Sequence, residues 1–248
     1  MARVRICEDV AGPEARAGLD LEFAATFERL SVRGEAAVLQ GAHQRDVPPG
    51  EGGRWGLSAV ALFDEDTATL LDEWSSWLRE LAGPGHWLTG VVGSAHATVR
   101  AVQPHRPGLT RSDSFAGRVA AATERAAAAC SGPVVFRLRG VALTSACVMA
   151  CLYPVDGAAG ALAAAVRAEL GPDDGWLEEE YVRTIWYSSL LHFTQDVKDP
   201  RALVEWVRER RQVKGHDVLA TTLQAVTFDH VGDRMLPRSL GGARLPAC

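Results

Sequence analysis

No run in this chain approaches the roughly 18 consecutive apolar residues that a bilayer span requires. Its opening residues, Met1-Ala2-Arg3-Val4-Arg5-Ile6-Cys7-Glu8, carry no apolar stretch of the kind that marks a secretory signal. No membrane contact is expected, and a cytoplasmic location is the default expectation. Cysteine is scarce and unpatterned. The five thiols (Cys7, Cys130, Cys147, Cys151, Cys248) are odd in number and form no Cys-x-x-Cys, which argues against a disulfide framework and against a zinc knuckle. They read as reduced thiols, mostly small core residues. Cys147 and Cys151 share strand parity, but without neighbouring histidine or acidic ligands they make a poor metal site. Positive charge is also in deficit, with 26 Lys and Arg against 31 Asp and Glu and a net charge of −5. Proteins that hold duplex nucleic acid in bulk need clustered cations that displace counterions, so that class is excluded. A small nucleotide or an RNA end is still a permitted substrate.

What is present suffices for a sizeable core: 248 residues, 47% hydrophobic and 23% charged. The first fifty or so residues differ in composition from the rest. They hold a helix expected from about Pro13 to Leu30 and end in Pro48-Pro49-Gly50-Glu51-Gly52-Gly53, the best boundary in the chain. Residues 1–53 therefore read as a helical and loop extension, and 54–248 as the main domain.

From Arg54 onward, strand-like runs alternate with amphipathic helices. Trp55–Phe63 reads as a strand, and Thr67–Leu81 as a helix with Leu70, Leu71, Trp74, Trp77, Leu78 and Leu81 at helical spacing. Trp87–Val102 reads as a strand, followed by a helix capped by Ser112 or Asp113 that reaches about Cys130. Val134–Leu143 and Ala146–Tyr153 read as two strands about a tight turn, and Ala158–Leu170 as an alanine-rich helix. After a turn at Gly171-Pro172-Asp173-Asp174-Gly175, Tyr181–Val197 has strand character. Asp199-Pro200 opens a helix to about Arg211, with proline in the first turn, where a missing N–H costs least, and Val218–Phe228 is the last strong strand. The order is β-α-β-α-β twice over, an internal repeat of pattern that reads as α+β.

Each repeat carries one His-x-Thr triplet within a strand: His96-Ala97-Thr98 and His192-Phe193-Thr194. A single such triplet is weak evidence, because short motifs recur by chance. None of the other five histidines, however, has Ser or Thr two residues on, and the two triplets occupy equivalent places. In a strand, residues i and i+2 share a face, so each histidine points with its threonine while Ala97 and Phe193 turn into the core. Two imidazoles with pKa values ordinarily about 6.5 can take a proton from an attacking oxygen and give one to a leaving oxygen. Two hydroxyls can donate to the nonbridging oxygens of a phosphate.

On these elements and their order, from about Trp55 to Phe228, the chain resembles the 2H phosphoesterase superfamily, the group that includes 2′-5′ RNA ligase-like proteins and RNA 2′,3′-cyclic phosphodiesterases. The resemblance implies a bilobal α+β fold: two pseudo-symmetric β/α lobes with antiparallel-rich sheets around a central cleft. It further implies His96 and His192 as the catalytic pair and Thr98 and Thr194 as phosphate-binding hydroxyls, with no metal or cofactor. The expected activity is cyclic phosphodiester hydrolysis, most simply of a 2′,3′-cyclic phosphate on RNA ends or nucleotides, with a role in RNA processing. The alternatives are 2′-5′ ligase-type chemistry, cleavage of another cyclic phosphate, and a nonhydrolytic nucleotide- or RNA-binding module.

His96-Ala97-Thr98-Val99-Arg100 is also similar to the His-x-Thr-apolar-Arg form of the bacterial enzymes, and simple alternation turns Arg100 to the histidine face, where a guanidinium suits phosphate. The chain departs from the family at Gln195, where an apolar residue is usual, and at Asp196, which brings negative charge near the site and has Arg100 as a candidate partner. Tyr187 and Trp186 precede the second triplet. Tyr187 is a candidate for stacking on a base, and Trp186 reads as core. Arg137 and Arg139 read equally as a basic wall or an exposed sheet face. His86 and His105 read as solvated loop residues. The extension has no counterpart in the family's minimal domain and would either cover part of the cleft or make an oligomer contact.

Overall fold

The computed structural model describes residues 13–49, 51, 55–171 and 185–247. Five helices and eight strands follow in the order α1 (Pro13–Leu39), β1 (Leu57–Phe63), α2 (Glu65–Ala82), β2 (Trp87–Leu88), β3 (His96–Gln103), α3 (Ser114–Ala128), β4 (Val134–Leu143), β5 (Cys147–Pro154), α4 (Ala158–Leu170), β6 (Trp186–His192), α5 (Pro200–Glu209), β7 (His216–Val231) and β8 (Arg234–Arg244). The fold is α+β, and the repeated β-α-β-α-β order is present. The turn expected after Gly171 and the first residues of the strand expected from Tyr181 lie outside the described residues.

The strands run β3-β1-β7-β4-β5-β6-β2-β8, with β8 also pairing back onto β7. All pairings are antiparallel except the single β2–β8 contact at Leu88 and Arg234. Instead of two separate sheets, one sheet is continuous through the long strand β7. Its N-terminal stretch pairs with β4, its middle with β1, and its C-terminal half with β8.

Local chemistry sets the helix starts. Asp64, Asp113 and Asp199 each accept a backbone N–H from the first turn of α2, α3 and α5, at Thr67, at Phe115 and Ala116, and at Ala202; such caps typically contribute about 1 kcal/mol each. The apolar stripes of α2 (Leu71, Leu78), α3 (Ala116, Val119), α4 (Leu162, Val166) and α5 (Leu203, Val207) meet the sheet in one core. The helices pair as α3 with α4 and α2 with α5.

The first helix runs nine residues beyond its expected end at Leu30, to Leu39. The added turns are the anchored ones. Glu35 takes charge-assisted hydrogen bonds from Arg208 (2.8 Å) and Arg211, Ser31 Oγ accepts the Leu143 N–H, and Val38 is fully buried. A Cβ on Gly34 would run into the Leu143 carbonyl, so glycine is what lets the helix backbone lie against β4. On its N-terminal side, Phe23 and Phe27 pack on Tyr153 with Cys147, Met149 and Cys151. Burial pushes the Cys151 thiol pKa well up, which leaves it a neutral core residue.

Two expectations require correction. The strand expected over Trp87–Val102 is two strands separated by a turn. There Thr89 and Gly90 both donate to the Leu190 carbonyl, and Gly93 takes a positive φ of 82°. The last strand, β8, had no counterpart in the expected order, since Pro237, Gly241 and Gly242 are strand breakers. It forms because β7 offers it ten antiparallel partners.

Candidate active site

The two triplets do not sit mid-strand. His96 opens β3 and His192 closes β6. These strands share no hydrogen bonds, yet their Cα atoms approach within 8 Å, which places the two histidine strands side by side. In the first, Leu62 lies opposite His96 and Val60 opposite Thr98. In the second, His192 lies opposite Trp87 on one side and Cys147 on the other. Val60, Leu62 and Trp87 belong to one apolar cluster with Trp55, Val226, Phe228 and Met235, so both imidazoles address the same aromatic face. Ring contacts connect them. His192 meets Trp55 at 4.6 Å between centroids, Trp55 meets Phe228 at 5.6 Å, and Phe228 meets His96 at 5.5 Å. Trp55 reaches this position from a left-handed backbone, φ 63°, which is rare and costly for a bulky side chain.

Each imidazole is fixed through Nδ1. His96 Nδ1 lies 2.5 Å from the Ser94 carbonyl. A carbonyl only accepts, so Nδ1 carries the hydrogen and Nε2 is the basic nitrogen of the neutral ring. His192 Nδ1 lies 2.8 Å from Asp46 Oδ2, with side chains only 4% and 2% exposed. Asp46 belongs to the segment after α1, and no sequence argument singled it out. It stands 146 residues from its partner in the chain.

The hydroxyls differ as well. Thr98 is half-buried on the His96 face, and its hydroxyl is engaged by no other described residue. Thr194 lies just past the end of β6. It donates its hydroxyl to the Gly85 carbonyl at 2.6 Å, and its N–H goes to His86 Nδ1 at 3.3 Å. His86 is thus no solvated loop residue. It is 1% exposed, hydrogen-bonds the Ala82 carbonyl through Nε2, and has its pKa lowered, chiefly by burial. His105 is half-buried near the Trp55 carbonyl.

The structure does not bring the remaining candidates together with this pair in the way alternation suggests. Thr98 lies opposite Val60 but Arg100 opposite Ala59, so β3 holds one extra residue at Val99 and Arg100 falls out of step with His96 and Thr98. Arg100 is buried. Tyr187 lies opposite Cys151 and packs with the cluster beneath α1, away from Trp55, Trp87 and Phe228. Asp196 pairs with Arg45 of the N-terminal segment, whose hydrogen bond and charge hold its carboxyl below the usual carboxylate range. Gln195 donates to the Pro84 carbonyl. Arg137 pairs with Asp217, and Arg139 pairs with Asp20 and lies over the Tyr153 ring, so both serve the outer face of β4. Among the described residues, no group of three or more His, Cys, Asp or Glu side chains is arranged to hold a metal ion.

This α+β fold, with its two histidine strands side by side, is shared with solved structures of other proteins. No family model matches the sequence, and no curated protein does. The likeness is in three dimensions. E. coli LigT, solved with 3′-AMP, superposes with a TM-score of 0.53 at 11% identity over 77% of this chain and 98% of that one. TT0787 of Thermus thermophilus gives 0.53 at 16% identity over 76% and 97%. A protein described as a phosphoesterase gives 0.52 at 10% over 78% and 99%. At such identities the comparison is one of fold.

Proposed function

We propose that the chain is a phosphodiesterase that opens a cyclic phosphodiester, a 2′,3′-cyclic phosphate on an RNA end or a small nucleotide, by paired-histidine acid and base catalysis without a metal. The observation that carries this reading is the pair itself: two imidazoles on adjacent strands, each locked through Nδ1 and joined by the ring series His192, Trp55, Phe228, His96. With Nδ1 committed, Nε2 is the nitrogen each ring has for proton transfer. One ring takes a proton from water as its oxygen attacks phosphorus. The other protonates the departing ribose oxygen. Thr98 donates to a nonbridging oxygen, and Thr194 would do so after releasing Gly85. That LigT is solved with 3′-AMP supports a nucleotide-sized ligand on this fold.

A second reading has its own support. His192 is nearly enclosed and Thr194 is latched to Gly85, which suits a nonhydrolytic nucleotide-binding module as well as it suits a catalyst. Incubating purified protein with 2′,3′-cyclic nucleotides and cyclic-phosphate oligonucleotides in EDTA separates the two. Turnover of a cyclic phosphate with a bell-shaped pH profile is expected. Tight binding without turnover on the whole panel would establish the module, and activity abolished by EDTA would overturn the metal-free mechanism.

A further inference from the structure

We infer that the N-terminal extension makes this a one-nucleotide site: α1 occupies the β5 side of the face that carries His192, so the substrate's nucleoside lies on the other side, over Trp87 toward His230. The position of the phosphate rests on the phosphodiesterase reading. Within that reading the substrate is a single nucleotide and not an RNA chain.

The sheet has two faces, and β5 sorts the helices between them. Val148, Ala150 and Leu152 point into the core shared with the buried stripes of α2–α5. Cys147, Met149, Cys151 and Tyr153 alternate with them along the strand and point the other way, into a cluster with Phe23 and Phe27 of α1. Cys147 lies directly opposite His192 on β6, and residues paired across a ladder share a face. The face that carries the second imidazole is therefore the face that α1 occupies.

The segment after α1 completes the wall at the imidazole itself. His43 Nε2 donates to the Gln195 carbonyl at 2.8 Å, the Gln44 N–H to the Ser145 carbonyl at 2.7 Å, and the Asp46 N–H to the Phe193 carbonyl at 2.7 Å; Arg45 pairs with Asp196. The Asp46 carboxylate reaches His192 Nδ1, and the side chains of that pair are only 2% and 4% exposed. A nucleotide chain that left a phosphate at His192 toward β5 would have to displace both this tied segment and the helix before it.

The other side of His192 is built of ring faces. Trp87 lies opposite it on β2, and the Trp87 ring is 6.0 Å from Trp55 and 5.1 Å from His230 between centroids. Phe228 and His230 are two residues apart on β7 and share a face. Phe228 meets His96 at 5.5 Å, whereas His230 is exposed. An exposed imidazole packed on a buried indole, at the rim of the aromatic face that both histidines address, is a platform on which a base stacks. A nucleic-acid chain gains affinity from each further nucleotide only where ring faces or cations continue beneath it. Here the platform reaches the end of β7 at Val231, where the flanking acids Asp229 and Asp233 are matched by Arg238 and Arg79. Nucleotides beyond the first extend into solvent.

The test titrates the full chain with 3′-AMP and with a tetranucleotide ending in a 3′-phosphate, by calorimetry. The two should bind alike. A tetranucleotide bound about tenfold or more tightly, the gain that one further stacked base supplies, overturns the inference, as does a failure to bind 3′-AMP. His230→Ala should weaken 3′-AMP about tenfold, the scale of one lost base–aromatic contact, and His230→Phe should restore it, because the ring face and not the charge holds the base. No loss in His230→Ala, or a loss that phenylalanine does not repair, overturns the inference as well. Turnover of 2′,3′-cyclic AMP by the same samples keeps the two readings apart. Titrations as expected without turnover would overturn the reaction and confirm the one-nucleotide site. Turnover with the tetranucleotide preferred would keep the reaction and overturn the site.

Discussion

The first and second triplets differ in almost everything except their letters. His96 opens a strand, is half-buried, and leans on a carbonyl two residues away, and the Thr98 hydroxyl beside it is engaged by no other described residue. His192 closes a strand, is buried, and leans on a carboxylate from another part of the chain, while the hydroxyl of Thr194 is committed to Gly85. A duplicated motif on a duplicated pattern therefore does not make two equivalent half-sites. The asymmetry comes from residues 43–46, which bind the second triplet and its flank at Phe193, Gln195 and Asp196.

Removing the imidazoles tests whether the halves are both needed. His96→Ala and His192→Ala should each reduce turnover of a cyclic phosphate by at least about a hundredfold, the usual cost of losing a general acid or base. If one variant keeps near-normal turnover, the paired mechanism fails and the comparison reduces to one working histidine.

The hydroxyls should separate the halves more sharply. Thr98→Val removes a donor that has no other described partner, and a hydrogen bond to a charged group contributes about 1.5–3 kcal/mol, so kcat/KM should fall about tenfold to a hundredfold with stability unchanged. Thr194→Val breaks the bond to Gly85, so its loss should appear mainly in unfolding, about 1 kcal/mol, with a smaller kinetic effect. Parallel steady-state kinetics and urea titrations check both; equal kinetic losses would show that the Gly85 latch opens in the reaction.

Loosening the first helix should injure the second half alone. Gly34→Ala places a methyl group against the Leu143 carbonyl. Such overpacking typically costs about 1–3 kcal/mol, and the displaced helix should carry the 43–46 segment with it. In imidazole spectra the His192 resonances should broaden or shift while those of His96 hold; equal disturbance of both would mean that α1 supports the whole sheet and not the His192 side.

Much of this is legible in the chain and the rest is not, for identifiable reasons. The ranges Val134–Leu143 and Ala158–Leu170 match the expectation residue for residue, because alternation and an uninterrupted alanine-rich run leave little competing signal. The histidine pair is legible because only two histidines carry the triplet. Alternation misplaces Arg100 because it assumes an unbroken register, and the extra residue at Val99 has no sequence mark. Asp46 is invisible because its partner is 146 residues away, and an aspartate before Val47-Pro48-Pro49 looks like any loop acid. Sequence separation of that size leaves no periodicity to read.

The smallest expected effect concerns acid, and it falls on the second triplet by way of His86. Burial, the largest influence, lowers the pKa of His86 from its ordinary value, as does the charge of His43, while the hydrogen bonds with the Ala82 and Asp196 backbone oppose the shift. A histidine with a lowered pKa in the folded state is protonated first in the unfolded chain. The stability it contributes is complete above the unfolded value, about 6.5, and is lost as pH falls through the folded one. Protonation would also place a hydrogen on Nδ1, facing the Thr194 N–H that it now accepts. Urea midpoints at pH 7.5 and 5.5 should therefore fall more for the wild type than for His86→Asn, whose amide oxygen can keep the Thr194 bond without titrating. Amide exchange in acid should speed up at Thr194 before it does at Thr98. The same acid loss in both proteins would mean that other groups carry the pH dependence, and equal exchange at the two threonines would mean that the halves respond to acid as one.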